Sequence, residues 1–439
     1  MEEATLPVNY SYIIGLYLAV NAIPDLFLYM DGPDCSTYKA EYIYGRHDLN
    51  STLLNCSGSD RIVRPRNLDV TSIVHDRTAD IKKILHETCM LPEAGGLMYA
   101  SMPMATITGT QYDSIIRDGA PELSKPIFEI PSLSLSSDWI DGYSQAMKSL
   151  AKGLNLEGDP DPACVAVIGY MMDRNEKDHT SNVDQLENML RGLSLDPVSI
   201  WLSGRPLSHL ERAGRAGVVI SLPHGREAAR IIASRTGAKL VETGIPFGLN
   251  GTVRWLEQIG SALGLEEQAA SYSESELGRV LPGIKWIINR GFLGRRFFFG
   301  GDPHMMEPVR NFFNELGCSP SAMIAVAQEK HLTPLPKSLV QDRIPCRFNL
   351  CPGEIAQITS EAFRDGCDII VAGDLIRNYI NNPPGVFASV PFGFTNYHRH
   401  ALADAPYLGF CGALHFMDFV ANEIMRAQAD TRRRQPPRS

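Results

Sequence analysis

Residues 26–60 read LFLYMDGPDCSTYKAEYIYGRHDLNSTLLNCSGSD. The apolar run 26–30 stops at Asp31-Gly32-Pro33-Asp34, which predicts a buried strand ending in a tight turn that delivers Cys35 at its exit. A second cysteine, Cys56, follows another turn-rich passage, Asn55-Cys56-Ser57-Gly58. Thiolates on glycine-containing turns at strand exits suit an iron–sulfur cluster, because the loop backbone can approach the inorganic sulfides and donate N–H hydrogen bonds to them. The alternative is a pair of buried free thiols, since cysteine is a common small core residue. Two thiols are only half a cluster site.

Outward from this stretch, the pattern alternates. Residues 10–22 read as a buried helix leading into the strand at 26–30, and residues 78–88 have helical spacing, with Ile81, Ile84 and Leu85 on one side. Gly95-Gly96 opens a strand at 97–102, another covers 126–131, and a helix starts near Asp138. Strand, loop and helix in this order predict a parallel sheet with helices on its faces. After the linker Gly158-Asp159-Pro160-Asp161-Pro162 the alternation resumes, with strands at 164–170, 198–202 and 217–222 and helices at 181–193, 226–236 and 252–263. A third unit opens at Arg296-Phe297-Phe298-Phe299-Gly300-Gly301-Asp302-Pro303 and includes a helix at 305–316 and strands at 323–326 and 368–373. The fold class expected is α/β: three consecutive Rossmann-like, doubly wound units with mostly parallel sheets. The expected divisions are 1–158 (cluster-bearing), 159–290, 291–390 and a C-terminal loop and helix, 391–439.

The chain has 439 residues, 44% of them hydrophobic and 21% charged, so it can bury several cores and is neither disordered nor collagen-like. A net charge of −9 argues against nucleic-acid binding, which needs a basic surface. The apolar stretch nearest to a membrane span, 12–20, is broken by Asn21, Pro24 and Asp25, and the acidic start at Glu2-Glu3 lacks the positive region of a secretory signal. A cytoplasmic protein is expected, and nine cysteines in such a chain point to reduced thiols.

Several motifs then fall in order. They are Gly32-Pro33-Asp34-Cys35, Ser59-Asp60-Arg61-Ile62-Val63, residues 99–109, Asp141-Gly142-Tyr143, Pro246-Phe247-Gly248-Leu249 with Trp255-Leu256, Phe299-Gly300-Gly301-Asp302-Pro303 and residues 406–412. In this arrangement the sequence resembles the component 1 family of nitrogenases and their relatives, the dark-operative protochlorophyllide and chlorophyllide reductases. The resemblance makes Cys35 and Cys56 the first two cluster cysteines and 99–109 the strand and loop of the third. Aligned through Gly109, that third position is Pro103, which cannot ligate a metal. Cys89, Asp34 and Asp31 are the candidate replacements, and the resemblance implies that remaining ligands come from a homologous partner subunit. The family's active-site cofactor is held by a cysteine, here at or near Ser221 with His224 three residues on, and by a histidine, here Arg399 between His398 and His400. Without that cysteine, such a cofactor is not expected in this chain.

What the resemblance implies is an oxidoreductase subunit carrying a 4Fe–4S or P-cluster-like cluster shared with the homologous partner, in a heterotetramer. An ATP-dependent iron–sulfur reductase dimer would supply electrons, and a small molecule would receive them. No Gly-x-x-x-x-Gly-Lys-Ser/Thr loop occurs, so ATP belongs to the reductase. His398, His400 and His224 are the candidate catalytic residues, able to donate protons or bind an anion; the alternative for the pair is a solvated loop capping a helix. His47 could hydrogen-bond a cluster sulfide but reads first as an exposed loop histidine, and Cys164, Cys318 and Cys367 read as core or boundary thiols. Two other functions fit the same fold: a scaffold for metallocluster assembly, and a metal-free protein binding a small ligand at a domain cleft.

Overall fold

The computed structural model describes residues 6–32, 35–54, 60–65, 77–103, 105, 112–119, 125–133, 135–380 and 387–434. These form two compact units, one of residues 10–176 with 195–242, the other of residues 1–9, 177–194 and 243–439.

The first unit holds two four-stranded sheets. Strands β1 (Leu26–Asp31), β2 (Ile62–Val63), β3 (Gly96–Ser101) and β4 (Ile127–Glu129) lie in the order β2-β1-β3-β4, all parallel. Every residue of β1 is buried, as expected for a parallel strand covered on both faces. Its register with β3 runs from Leu26 opposite Gly96 to Asp31 opposite Ser101, so the two strands end level. The Tyr12–Asn21 helix, buried along its length, crosses the Trp139–Gly153 helix through two glycines. A Cβ on Gly15 would lie 1.9 Å from the Trp139 carbonyl oxygen, and one on Gly142 would lie 2.0 Å from that of Tyr12. Asp138 caps the second helix by accepting the N–H groups of Ile140 and Asp141, and Asp141 reciprocates. The other sheet, β5 (Asp161–Ile168), β6 (Asp196–Ile200), β7 (Ala216–Ser221) and β8 (Lys239–Glu242), has the order β6-β5-β7-β8 and is also parallel.

The second unit holds β9 (Arg296–Gly301), β10 (Ser319–Ala325), β11 (Cys346–Phe348), β12 (Cys367–Ala372) and β13 (Ala388–Pro391), parallel in the order β11-β10-β9-β12-β13. Phe297, Phe298 and Phe299 are core residues, with the Phe297 ring stacked on Phe313 at 4.4 Å. The 22-residue helix Glu266–Ile287 has no counterpart in the sequence reading: Pro282 lies inside it, and its few buried residues give no clean apolar stripe. Among the described residues no helix is long and apolar enough to cross a membrane.

Candidate functional site

The strand that decides the fold ends on a fully buried carboxylate. Asp31, at 0% exposure, receives Arg77 Nη1 at 2.5 Å and Nη2 at 2.8 Å on its two oxygens, and the Tyr112 hydroxyl also donates to it. The fork of a guanidinium matches a carboxylate in this way, and leaving either charge buried alone would be costly. Burial, and then the Asp31 charge, push the Tyr29 phenol above its ordinary pKa. Asp31, considered above as a replacement cluster ligand, is therefore committed to an ion pair. Nothing local in the sequence signals that pairing, because Arg77 lies 46 positions away and Tyr112 lies 81.

Cys35 is the first residue of a short helix, Cys35–Ala40, directly beyond that exit rather than on an open turn. Its side chain, Asp34 and Cys56 lie outside the described residues. Pro103, expected above at the third cysteine position, sits two residues past β3, and the Met102 N–H donates to the Asp31 carbonyl at 2.9 Å, tying the two strand exits together. The chain on either side of residues 55–59 has a different root. Leu53 and Arg61 close its base with a 2.9 Å hydrogen bond. Arg61 also donates to the carbonyls of Val20, Ile23 and Leu26 at 2.8, 2.8 and 2.9 Å, at the entry of β1.

Cys89 ends the helix Thr78–Cys89, whose N-cap is Arg77. Twelve residues span about 18 Å, so Cys89 is a helix length away from the Asp31 exit. It is 2% exposed among Leu85, Ala94, Leu97 and Ile115, and burial pushes its thiol pKa up. A ligand must be a thiolate, and these are the surroundings of a core thiol. His47 corrects its expectation more directly: it is 1% exposed, with Nε2 3.1 Å from Asp173 Oδ1. Next to it, Asp48 accepts Asn21 Nδ2 at 2.7 Å and the Asn175 N–H at 2.9 Å, which clamps the segment leading to Cys56 onto the 173–176 loop.

Ser221 ends β7 fully buried, and His224 follows in a single turn, 3% exposed, with its ring edge-on to Tyr143 at 6.5 Å. The Tyr143 hydroxyl donates to the Tyr170 carbonyl at 2.9 Å and accepts the Met172 N–H at 3.0 Å. Gly169, at φ +97°, lies so close that a Cβ there would be 2.4 Å from the Gly225 nitrogen. This corner is packed with backbone and aromatic side chains. In the other unit, His398 is exposed, His400 is half-buried, and Arg399 between them lies 3.6 Å over the Phe419 ring. Asp374 holds the loop: it accepts the Tyr397 N–H at 2.5 Å and pairs with Arg377 at 2.8 Å. Of the remaining cysteines, Cys318 and Cys367 are buried, and burial pushes their thiols up to about 12 and about 11. Cys411 receives Arg279 Nη2 at 3.0 Å.

Three parallel sheets, with a cysteine at the exit of the first, define an α/β protein of the nitrogenase-subunit fold. A solved structure described as nitrogenase Cp1 at pH 6.5 superposes on it with a TM-score of 0.77, over 100% of this chain and 96% of that one, at 14% identity. The chain belongs to the nitrogenase component 1 type oxidoreductase family, which it matches over residues 11–425. It is 24% identical over 354 residues to the nitrogenase molybdenum-iron protein beta chain of Methanothermobacter thermautotrophicus, covering 73% of this chain and 74% of that one. It is 25% identical over 254 residues to the light-independent protochlorophyllide reductase subunit N of Heliobacterium modesticaldum, covering 57% and 53%. The match to the Frankia alni molybdenum-iron protein beta chain, 24% identical, spans 46% of that chain, so the alignments cover about half the length of two of these three relatives.

Proposed function

We propose that this chain is one subunit of a nitrogenase-like, ATP-dependent reductase system, holding part of an iron–sulfur cluster at a boundary with a homologous subunit. The observation that carries this reading is the position of Cys35, at the exit of a buried central strand whose end is level with that of β3. The donor chemistry sets the limit. Of the residues weighed as ligands, Asp31 is paired with Arg77, Cys89 is in the core and Pro103 has no donor. Cys35 and Cys56, with Asp34 as the remaining candidate carboxylate, are the residues that would hold the cluster, and they fit part of one, with the rest supplied by the partner. Bound there, the cluster would supply low-potential electrons from the separate ATP-driven reductase, with its potential set by ligand number, hydrogen bonds and burial.

The chain's own residues do the rest. The Arg77–Asp31–Tyr112 pairing fixes the end of β1 and with it the start of the Cys35 helix, while Arg61 and the Asp48 network fix the chain on either side of Cys56. Proton delivery to a small substrate falls to His398 and His400, because the enclosure of His224 against Tyr143 suits packing. The test is anaerobic purification of the chain with its partner, followed by iron analysis and electron paramagnetic resonance. Cys35→Ala and Cys56→Ala should each remove most of the cluster iron while leaving the circular dichroism spectrum unchanged. Full iron in either variant would refute that residue as a ligand, and an iron-free wild-type complex would refute the redox reading altogether.

A further inference from the structure

A separate site lies in the unit that contains β9–β13. The helices Leu249–Leu263 and Pro303–Glu315 border a cleft of about 280 Å³, lined by apolar Phe247, Trp255 and Pro308 and by polar Arg254, Gln258, Glu307 and Asn311. An outer lobe shares Arg254 and Asn311 with it and opens toward Arg310 and Glu315. Two of the charges around the two lobes are already used within the fold, and Glu257 on the outer lobe is exposed. Arg310 is held by Asp342 at 2.8 Å, and Glu315 accepts the N–H groups of Leu249 and Asn250, both at 3.2 Å.

What is left over has a definite character. Arg254 makes a single hydrogen bond, from Nε to the Asn250 carbonyl at 3.3 Å, and its terminal nitrogens have no hydrogen bond or ion pair among the described residues. Glu307 accepts the Ser338 hydroxyl at 2.6 Å on one oxygen and is in no ion pair among the described residues. Asn311 uses its oxygen to accept Arg310 Nη1 at 2.9 Å, leaving its NH₂ group as a donor. Opposite charges thus line one small cleft without pairing with each other, accompanied by amide donors and an apolar wall. The Arg254 charge acts on the Glu315 carboxyl, but a guanidinium whose terminal nitrogens carry no hydrogen bond is suited to take a carboxylate from a ligand, and a half-satisfied carboxylate is suited to an ammonium.

We infer that this cleft binds a small zwitterion of the α-amino-acid class, with the carboxylate on Arg254, the ammonium on Glu307 and a compact apolar side group against Trp255 and Pro308. The volume is near the lower end of small-molecule sites and suits a ligand of that size. The inference needs no iron and stands or falls apart from the cluster reading. Equilibrium dialysis of the full chain with L-leucine tests it, with 4-methylpentanoate and isoamylamine as analogues that lack one charge each. Saturable leucine binding is expected, weakened by about tenfold or more in both analogues and in Arg254→Gln and Glu307→Gln, as loss of a charge-assisted hydrogen bond implies. Arg254 is exposed and Glu307 half-buried, and circular dichroism checks that the variants are folded. Absence of saturable leucine binding, or binding that neither substitution weakens, would overturn the assignment.

Discussion

The most informative single residue is Asp31. Its carboxylate looks in the sequence like a spare ligand beside Cys35, yet in the fold it has no exposed surface and is gripped by Arg77 and Tyr112. Replacing Arg77 with methionine keeps much of the side-chain volume but leaves the buried Asp31 carboxylate with the Tyr112 hydroxyl and without its cation. Arg77→Met should therefore destabilise the protein by roughly 3–5 kcal/mol, read by urea denaturation. A loss below about 1 kcal/mol would show that Asp31 has another way to be solvated. The sequence shows an acid just after the apolar run and reads it as part of a turn; its burial and its partner are not legible there, because the pairing is made by chain segments brought together from far apart.

At the level of elements, two contacts are decisive. The crossing of the helices Tyr12–Asn21 and Trp139–Gly153 leaves no room for a methyl group at Gly15 or Gly142. Gly142→Ala should cost about 2–3 kcal/mol, visible as a lowered denaturation midpoint, because backbone would have to move to admit the new carbon. The second contact is the cap that Glu315 provides for the helix Leu249–Leu263. Burial raises its carboxyl to about 7, against the lowering effect of the N–H groups it accepts. The folded state thus holds this proton more tightly than the unfolded chain. The contribution is fully present below the ordinary glutamate range and is lost as pH rises toward and through 7. Wild-type stability relative to Glu315→Gln should therefore fall by on the order of 2–3 kcal/mol between pH 4.5 and 8, a trend that denaturation curves across that range would check. Strands and most helices were legible because their apolar runs follow a period of two, or of three to four, or are continuous. The helix Glu266–Ile287 was not, because Pro282 and scattered burial mask its period.

For the whole molecule, the prediction concerns assembly. If the chain holds only part of a shared cluster, as proposed, the chain expressed alone should bind little iron, and iron should appear when a homologous subunit is co-expressed. Iron per chain measured after size-exclusion chromatography decides this; a full cluster on the isolated chain would contradict the shared site. The sequence by itself determined the α/β class, the succession of three parallel sheets and the likeness to the nitrogenase component 1 family, because hydrophobic periodicity and ordered motifs are local properties. Only the tertiary structure decided which polar residues are already spoken for. It paired Asp31 with Arg77, placed Cys89 in a core a helix length from the β1 exit, buried His47 against Asp173 and left Arg254 and Glu307 unpaired in one cleft. Those outcomes depend on which distant groups meet once the chain is packed, and spacing along the sequence carries no record of that.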